Sequence, residues 1–409
     1  TFIFIYYIIK LKIKVMSKNT NLVALNAKEL KQFLNHIIEN NRFLQEQNKT
    51  PVAIEVIGES GIGKTSAIVQ LAKELDFNFV KLNLSQIEEI GDLVGFPIRQ
   101  FEIQRNEESD KIWVDENVLD EKFKQGYYTT GLNRMGYCPP EWISGKEKGG
   151  ILLLDDWNRA DMRFIQAVME LIDRQQYISW SLPKDWHIIL TANPDNGDYL
   201  VSSIDNAQKT RFITVQLKFD TECWAKWAEE SQIDGRCINF LLLHPELVTK
   251  DVNSRSVSMF FNSISSIKSF DDSLPLIQMV GEGSVGPEFS SMFTMFINNK
   301  LDKMISPQHV IEQDEKYVLN TLKSIVGKDD NYRADLASTL STRIVNYLDL
   351  FAKENPIEKL VVDRISKIVN EKIFANDICY NMVRSIYNNN PSKFKTMMMN
   401  KDLVQYIMK

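Results

Sequence analysis

The run Gly58-Glu59-Ser60-Gly61-Ile62-Gly63-Lys64-Thr65 constrains this chain more than any other feature. It fits the pattern GxxxxGK[ST]. It stands between a short β-rich run, Val52 to Ile57, and a helical pattern from Ser66 to Leu75. Strand, glycine loop and helix in that order make a cradle for phosphate. The glycines let the backbone curl so that successive N–H groups point inward at phosphate oxygens. Lys64 supplies a point charge for the β- and γ-phosphates. Thr65 opens the helix with a hydroxyl that reaches Mg2+, Ser66 follows it, and the helix N-terminus adds its partial positive charge.

A second motif answers the first. Ile151 to Leu154 is a run of four aliphatics that ends in Asp155-Asp156. Such a run buries a strand and delivers an acid at its C-terminal end, where ligands of α/β sheets sit. Asp155 is the expected Mg2+ carboxylate, and Asp156 stands where an attacking water would be polarised. The plainer reading of the pair is a helix cap before the pattern at 161–175. No Asn-Lys-x-Asp guanine-reading motif stands beside a strand.

Between and after these motifs, strands and helices alternate. A helix is expected over 27–48 and further strands over Phe79–Leu84, His187–Ala192 and Ile213–Leu217, which predicts a parallel α/β sheet buried on both faces. Residues 99–148 read as a polar insertion or loop with room for a hairpin, and Tyr177–Leu182 as a hairpin arm. From about Asp220 the pattern turns helical, with a glycine-rich break at Gly281–Gly286 and helical stretches near 288–300, 312–326, 334–353 and 357–374. The expected division is therefore an N-terminal extension over 1–26, a nucleotide-binding domain over 27–218, a helical lid over 219–300 and a helical extension over 301–409.

Composition narrows the classes. Lys and Arg total 48 against 54 Asp and Glu, a formal charge of -6, so bulk charge calls for no nucleic acid. The four cysteines form no CxxC pair, which fits a reducing compartment, and Cys223, Cys237 and His244 match no common zinc spacing. No apolar run is long enough to span a membrane, so a cytoplasmic protein is expected. Phe2 to Ile9 is an apolar run followed by Lys10, Lys12 and Lys14, while Met16 reads like a start. Residues 1–15 are expected to be upstream sequence rather than native protein, the alternative being a short membrane-surface segment.

Taken in order, these residues resemble the AAA+ ATPases, and within them the MoxR-like and dynein-related branch. Gly91-Asp92-Leu93-Val94-Gly95-Phe96-Pro97 resembles its "DL-x-G-x-P" segment, and Cys138-Pro139-Pro140-Glu141-Trp142-Ile143 its "PPEWL" stretch. Asp155-Asp156-Trp157-Asn158-Arg159-Ala160 is similar to "DEINRA", and Leu190-Thr191-Ala192-Asn193-Pro194 to the "TANP" strand end. Ala207 to Phe212 resembles the helix that ends in "RF", and Asn253-Ser254-Arg255-Ser256 the "PRS" segment of the lid. The likeness covers about residues 27–270. Two departures stand out: Asp156 replaces the usual catalytic Glu, one methylene shorter, and Ser254 replaces a Pro.

The resemblance implies a P-loop NTPase fold with a five-stranded parallel sheet, flanking helices and an all-α lid. It implies ATP and Mg2+ as cofactors, Asn193 as a sensor that orients water, Arg211 as a finger offered to a neighbouring subunit, and Arg255 as a γ-phosphate sensor in the lid. An arginine given in trans implies a ring, most often a hexamer, acting on a protein substrate or a von Willebrand A-type partner. Phe96 or the aromatic pair Tyr177 and Trp180 are then candidates for the pore, with core packing the preferred reading of each. Arg159 and Arg174 are expected at a subunit interface. The rival readings are a nucleic-acid-stimulated motor and an ATP-gated scaffold with very slow turnover.

Overall fold

The computed structural model describes residues 22–197, 199, 201, 202, 206–299, 301 and 304–408. The expectation for residues 1–15 lies outside them. The chain parts into two compact units, one ending at Lys218 and the other running from Phe219.

The first unit is built on strands β1 (Ala24–Leu25), β2 (Ala53–Ile57), β3 (Asn78–Asn83), β7 (Gly150–Asp155), β10 (Trp186–Ala192) and β11 (Phe212–Leu217). They form one parallel sheet in the order β1-β11-β2-β10-β7-β3. Five of these are the expected core strands; the two-residue β1 adds an edge. The P-loop NTPase α/β fold is therefore present.

Its aliphatic runs are continuous because both faces are covered. Ile151 and Leu153 pack with Ile54, Val56 and Ile189 beneath Leu34 and Ile38 of the helix Ala27–Glu46 and Ile68 and Leu71 of the helix Lys64–Glu74. Leu152 and Leu154 face the other way, onto Ile165, Val168 and Ile172 of the helix Met162–Arg174. Asn26 and Glu29 close a capping box at the start of the first of these helices, with both bonds at 2.9 Å.

The insertion departs from expectation. Residues 96–138 carry a second, antiparallel sheet of three strands, β4 (Phe96–Gln104), β5 (Ile112–Asp115) and β6 (Tyr128–Cys138), in the order β5-β4-β6. Both faces carry polar and half-exposed residues, so the strands lack the one-sided alternation that marks a half-buried sheet. Tyr177 and Trp180 pair in a short hairpin, β8 (Gln176–Tyr177) with β9 (Trp180–Ser181). Trp180 is buried and donates to Val94 O at 2.9 Å, so it belongs to the core; Phe96 is 61% exposed.

The second unit is helical. Its first hydrophobic cluster joins the helices Thr221–Glu230, Gly235–Leu243, Ser254–Ser263 and Leu274–Asn298. The expected break at Gly281–Gly286 narrows to a single kink: Gly281 and Gly283 lie inside the last of these helices, and only Gly286 leaves helical geometry, at φ 84°, before Pro287. A second cluster fills the helices from Pro307 to Ile407.

The two clusters are tied by ion pairs, one of them largely buried. Arg343, in the helix Ala334–Glu354, pairs with Glu229 and donates to Gly235 O at 2.9 Å and Asn239 Oδ1 at 2.7 Å. Lys226 pairs with Asp349, and Lys353 with Glu230 at 2.9 Å. The helices from Pro307 to Ile407 are thus bound into the same body as those from Thr221 to Asn298. Among the described residues, no helix is long and apolar enough to cross a membrane.

Candidate functional site

The sheet order decides where the motifs meet. β10 lies between β2 and β7, with Ala192 opposite Ile57 and Leu190 opposite Leu154. The carboxyl ends of all three strands therefore converge, bringing together Asp155, the last residue of β7, and Gly58 and Asn193, the first residues after β2 and β10.

The loop after β2 curls as the glycines require. Gly61 and Gly63 take φ of 74° and 99°, and Gly63 leads into the helix Lys64–Glu74. A Cβ on Gly58 would meet Ile62 Cδ1 at 2.6 Å and Leu217 O at 3.0 Å. Lys64 is 7% exposed, and its ammonium bonds Gly58 O at 2.6 Å, Glu59 O at 3.1 Å and Asn193 Oδ1 at 3.1 Å. Tyr199 reaches the same loop: its hydroxyl accepts from the Ser60 N–H at 3.1 Å and donates to Glu59 Oε2 at 2.8 Å. Ser66 follows Thr65 in the helix.

Asp155 and Asp156 separate in role. Asp155 Oδ1 accepts from the Thr65 hydroxyl at 3.1 Å and from the Thr191 hydroxyl in a short bond, while Oδ2 lies 2.8 Å from Lys81 Nζ. Burial pushes this carboxyl up, but Lys81, Thr191 and Thr65 outweigh it and hold Asp155 below its ordinary range. Asp156 takes a left-handed backbone, φ 51°, and its N–H donates to Thr191 Oγ1 at 3.1 Å. That turn swings its carboxylate to Asn193, whose amide donates at 3.2 Å, and to within 3.8 Å of Arg159. Asn193 is itself clamped by Asn158, which accepts from its N–H at 3.2 Å and donates to its carbonyl at 2.8 Å. The Asp156 carboxylate, the Asn193 amide and the Lys64 ammonium therefore form one connected chain.

The donor set suits a small hard cation: the Thr65 hydroxyl and the Asp155 carboxylate are hard oxygens beside a helix N-terminus, the ligand type that Mg2+ takes with phosphate. Softer ligands are missing, and no cluster of three or more His, Cys, Asp or Glu side chains able to hold a metal occurs among the described residues.

Outside this centre the expected residues lie apart. Arg211 is bound within the chain, its Nε to Asp173 at 2.7 and 2.9 Å and Nη1 to Ala207 O at 3.0 Å. Arg255 is exposed on the second unit, in the first turn of the helix Ser254–Ser263 that Asn253 caps. The two motif stretches around the insertion meet each other: Trp142 Nε1 donates to Asp92 O at 3.1 Å and Leu93 O at 3.2 Å, and its ring crosses Trp180 edge-on at 5.8 Å. Lys81, Glu55 and Tyr199 escaped sequence reading, and Thr191 was quoted within its motif stretch without a role of its own; of these, only Glu55 was marked in sequence, as a polar side chain in an otherwise buried strand.

No protein-family model and no curated protein matches the chain. Among solved structures it is similar to the RuvB Holliday junction branch migration motor of Thermotoga maritima, at 14% identity over 73% of this chain and 76% of that one, with a TM-score of 0.34. It is also similar to an inferred ATPase from Cytophaga hutchinsonii, at 14% identity over 99% of this chain and 95% of that one, with a TM-score of 0.30.

Proposed function

We propose that this chain is a Mg-ATP-dependent AAA+ ATPase of the MoxR-like type that assembles into a ring, of six subunits by the family's habit, and remodels a protein partner in the cytoplasm. The observation that carries the reading is the chain from Lys64 through Asn193 to Asp156, set beside Thr65 and Asp155. It puts a phosphate-binding cation, a water-orienting amide and a proton acceptor in hydrogen-bond sequence.

The roles in this reading combine the geometry with the family resemblance. The loop Gly58–Ser66 binds the phosphates of ATP. Thr65 and Asp155 hold Mg2+, which neutralises developing phosphate charge when bound. Asn193 Nδ2 fixes the Asp156 carboxylate, and that carboxylate takes the proton of the attacking water. Arg211 leaves Asp173 to meet the phosphate of a neighbouring protomer, and Arg255 reports nucleotide to the lid. The partner is a protein, of von Willebrand A type in the branch that the motifs resemble.

Steady-state ATP hydrolysis by wild type and Lys64→Ala, run beside mass photometry with and without Mg-ATP, tests this. ATP-dependent assembly with Lys64-dependent turnover is the expected result. Tight ATP binding without turnover in an assembled state would favour the gated scaffold instead. Mixing Lys64→Ala with Arg211→Ala protein tests the finger, since mixed rings recover activity only if the arginine acts in trans.

A further inference from the structure

Lys81 stands on β3, the edge strand beside β7. Register pairs it with Leu153, and side chains alternate along β7, so Asp155 shares its face of the sheet. Its ammonium lies 2.8 Å from Asp155 Oδ2. With Thr65 and Thr191 donating to Oδ1, both oxygens of the carboxylate are engaged. A lysine on an edge strand commonly just keeps that edge from pairing with another chain. This one does more, because it closes an ion pair on a carboxylate that is only 11% exposed.

We propose that Lys81 is a resident cation that holds the Asp155 carboxylate while the phosphate loop is without Mg-nucleotide, and so makes divalent-ion binding conditional on nucleotide. The inference rests on the function proposed above. A carboxylate this far from water needs a compensating charge. Lys81 supplies it. A divalent ion approaching Oδ2 meets that ammonium at close range and must displace it, which costs the free ion affinity. A nucleotide changes the balance, because its phosphates bring negative charge that both the ion and the released ammonium can neutralise. The lysine stem is flexible and its side chain is 42% exposed, so the release requires no movement of the core.

Mn2+ serves as the probe, with free ion counted by electron paramagnetic resonance on the full chain in the absence of nucleotide. Wild type is expected to bind in the millimolar range. Lys81→Met is expected to bind on the order of tenfold tighter, and Lys81→Arg to return to the wild-type value. With ADP present, the gap between wild type and Lys81→Met should close. Micromolar binding of free Mn2+ by wild type would overturn the proposal. So would unchanged or weaker binding by a cooperatively melting Lys81→Met. Lys81→Gln carries the same expectation if the methionine variant does not fold, and the wild-type titration stands without any variant. Failure of wild type to bind ADP would instead strike the nucleotide reading itself, whereas an unmoved Mn2+ affinity with ADP binding intact strikes only the role of Lys81.

Discussion

The indole N–H of Trp157 donates to the Glu55 carboxylate at 2.9 Å, across the middle of the sheet from β2 to the turn after β7. Glu55 also accepts from the Thr214 hydroxyl at 2.9 Å. The bond pins the residue that follows Asp156, and Trp157 is fully buried against Phe212. A buried acid thus anchors the left-handed turn that aims the proposed proton acceptor.

That acid predicts a pH dependence. Burial is the largest influence on Glu55 and pushes its carboxyl up, against the Thr214 and Trp157 bonds and the charge of Lys209. A raised folded-state pKa makes the protonated form the stabilising one. Its contribution is full below the ordinary carboxylate range and is lost as pH climbs through the raised value. Wild type should therefore lose stability relative to Glu55→Gln as pH rises from the ordinary carboxylate range through the raised value. Denaturant midpoints of the two proteins across that range check it; a constant difference would contradict it.

Asp156 and its shorter side chain make a second case. Asp156→Asn should keep nucleotide affinity within about threefold and cut turnover by on the order of 10²–10⁴. Asp156→Glu, reaching one methylene further, should raise turnover above wild type. Nucleotide binding measured by fluorescence beside a phosphate-release assay separates the two effects. A joint loss of binding would mean that the residue shapes the loop rather than the chemistry.

Gly95 tests the motif stretch ahead of the insertion. Its φ is 85°, and an added Cβ would lie 1.9 Å from Cys138 O, a backbone atom. Gly95→Ala should cost about 3 kcal/mol, combining left-handed strain with a forced shift of β6. Thermal or urea unfolding gives the number; a cost under about 0.5 kcal/mol would show that the strand ends move apart freely.

Arg343 tests the union of the lid with the helices that follow it. Removing it leaves the half-buried Glu229 unpaired beside the unmet carbonyl of Gly235 and amide oxygen of Asn239. Arg343→Ala should destabilise the protein by about 3–5 kcal/mol, and Glu229→Gln by less, since a neutral partner still accepts. Truncation after residue 300 should likewise unsettle the lid helices. Proteolysis of the truncated chain checks this, and an intact, protease-resistant lid would contradict it.

Much of the first unit was legible before any fold was known. The strand ends expected at Ile57, Leu84, Leu154, Ala192 and Leu217 fall within one residue of those observed. Buried parallel strands are continuous aliphatic runs, and such runs announce themselves. The phosphate loop was legible for a related reason: its chemistry is backbone chemistry, done by consecutive residues. The three-stranded sheet of 96–138 was not, because strands exposed on both faces carry no one-sided pattern. Core packing was the favoured reading of Trp180, but its partners, Val94 and Trp142, were not legible, because neither is its neighbour in sequence.

By itself, the sequence determined the phosphate loop, the paired acids and the alternation that builds a parallel sheet, since each is a short-range pattern of residue types. Tertiary structure alone decided that Asn193 joins Lys64 to Asp156, that Lys81 covers Asp155, that Arg211 rests on Asp173, and that Arg343 binds the last helices to the lid. These are pairings across strands and helices far apart in the chain. Register and packing set them, and no local pattern of side chains encodes which distant partner a polar group will find.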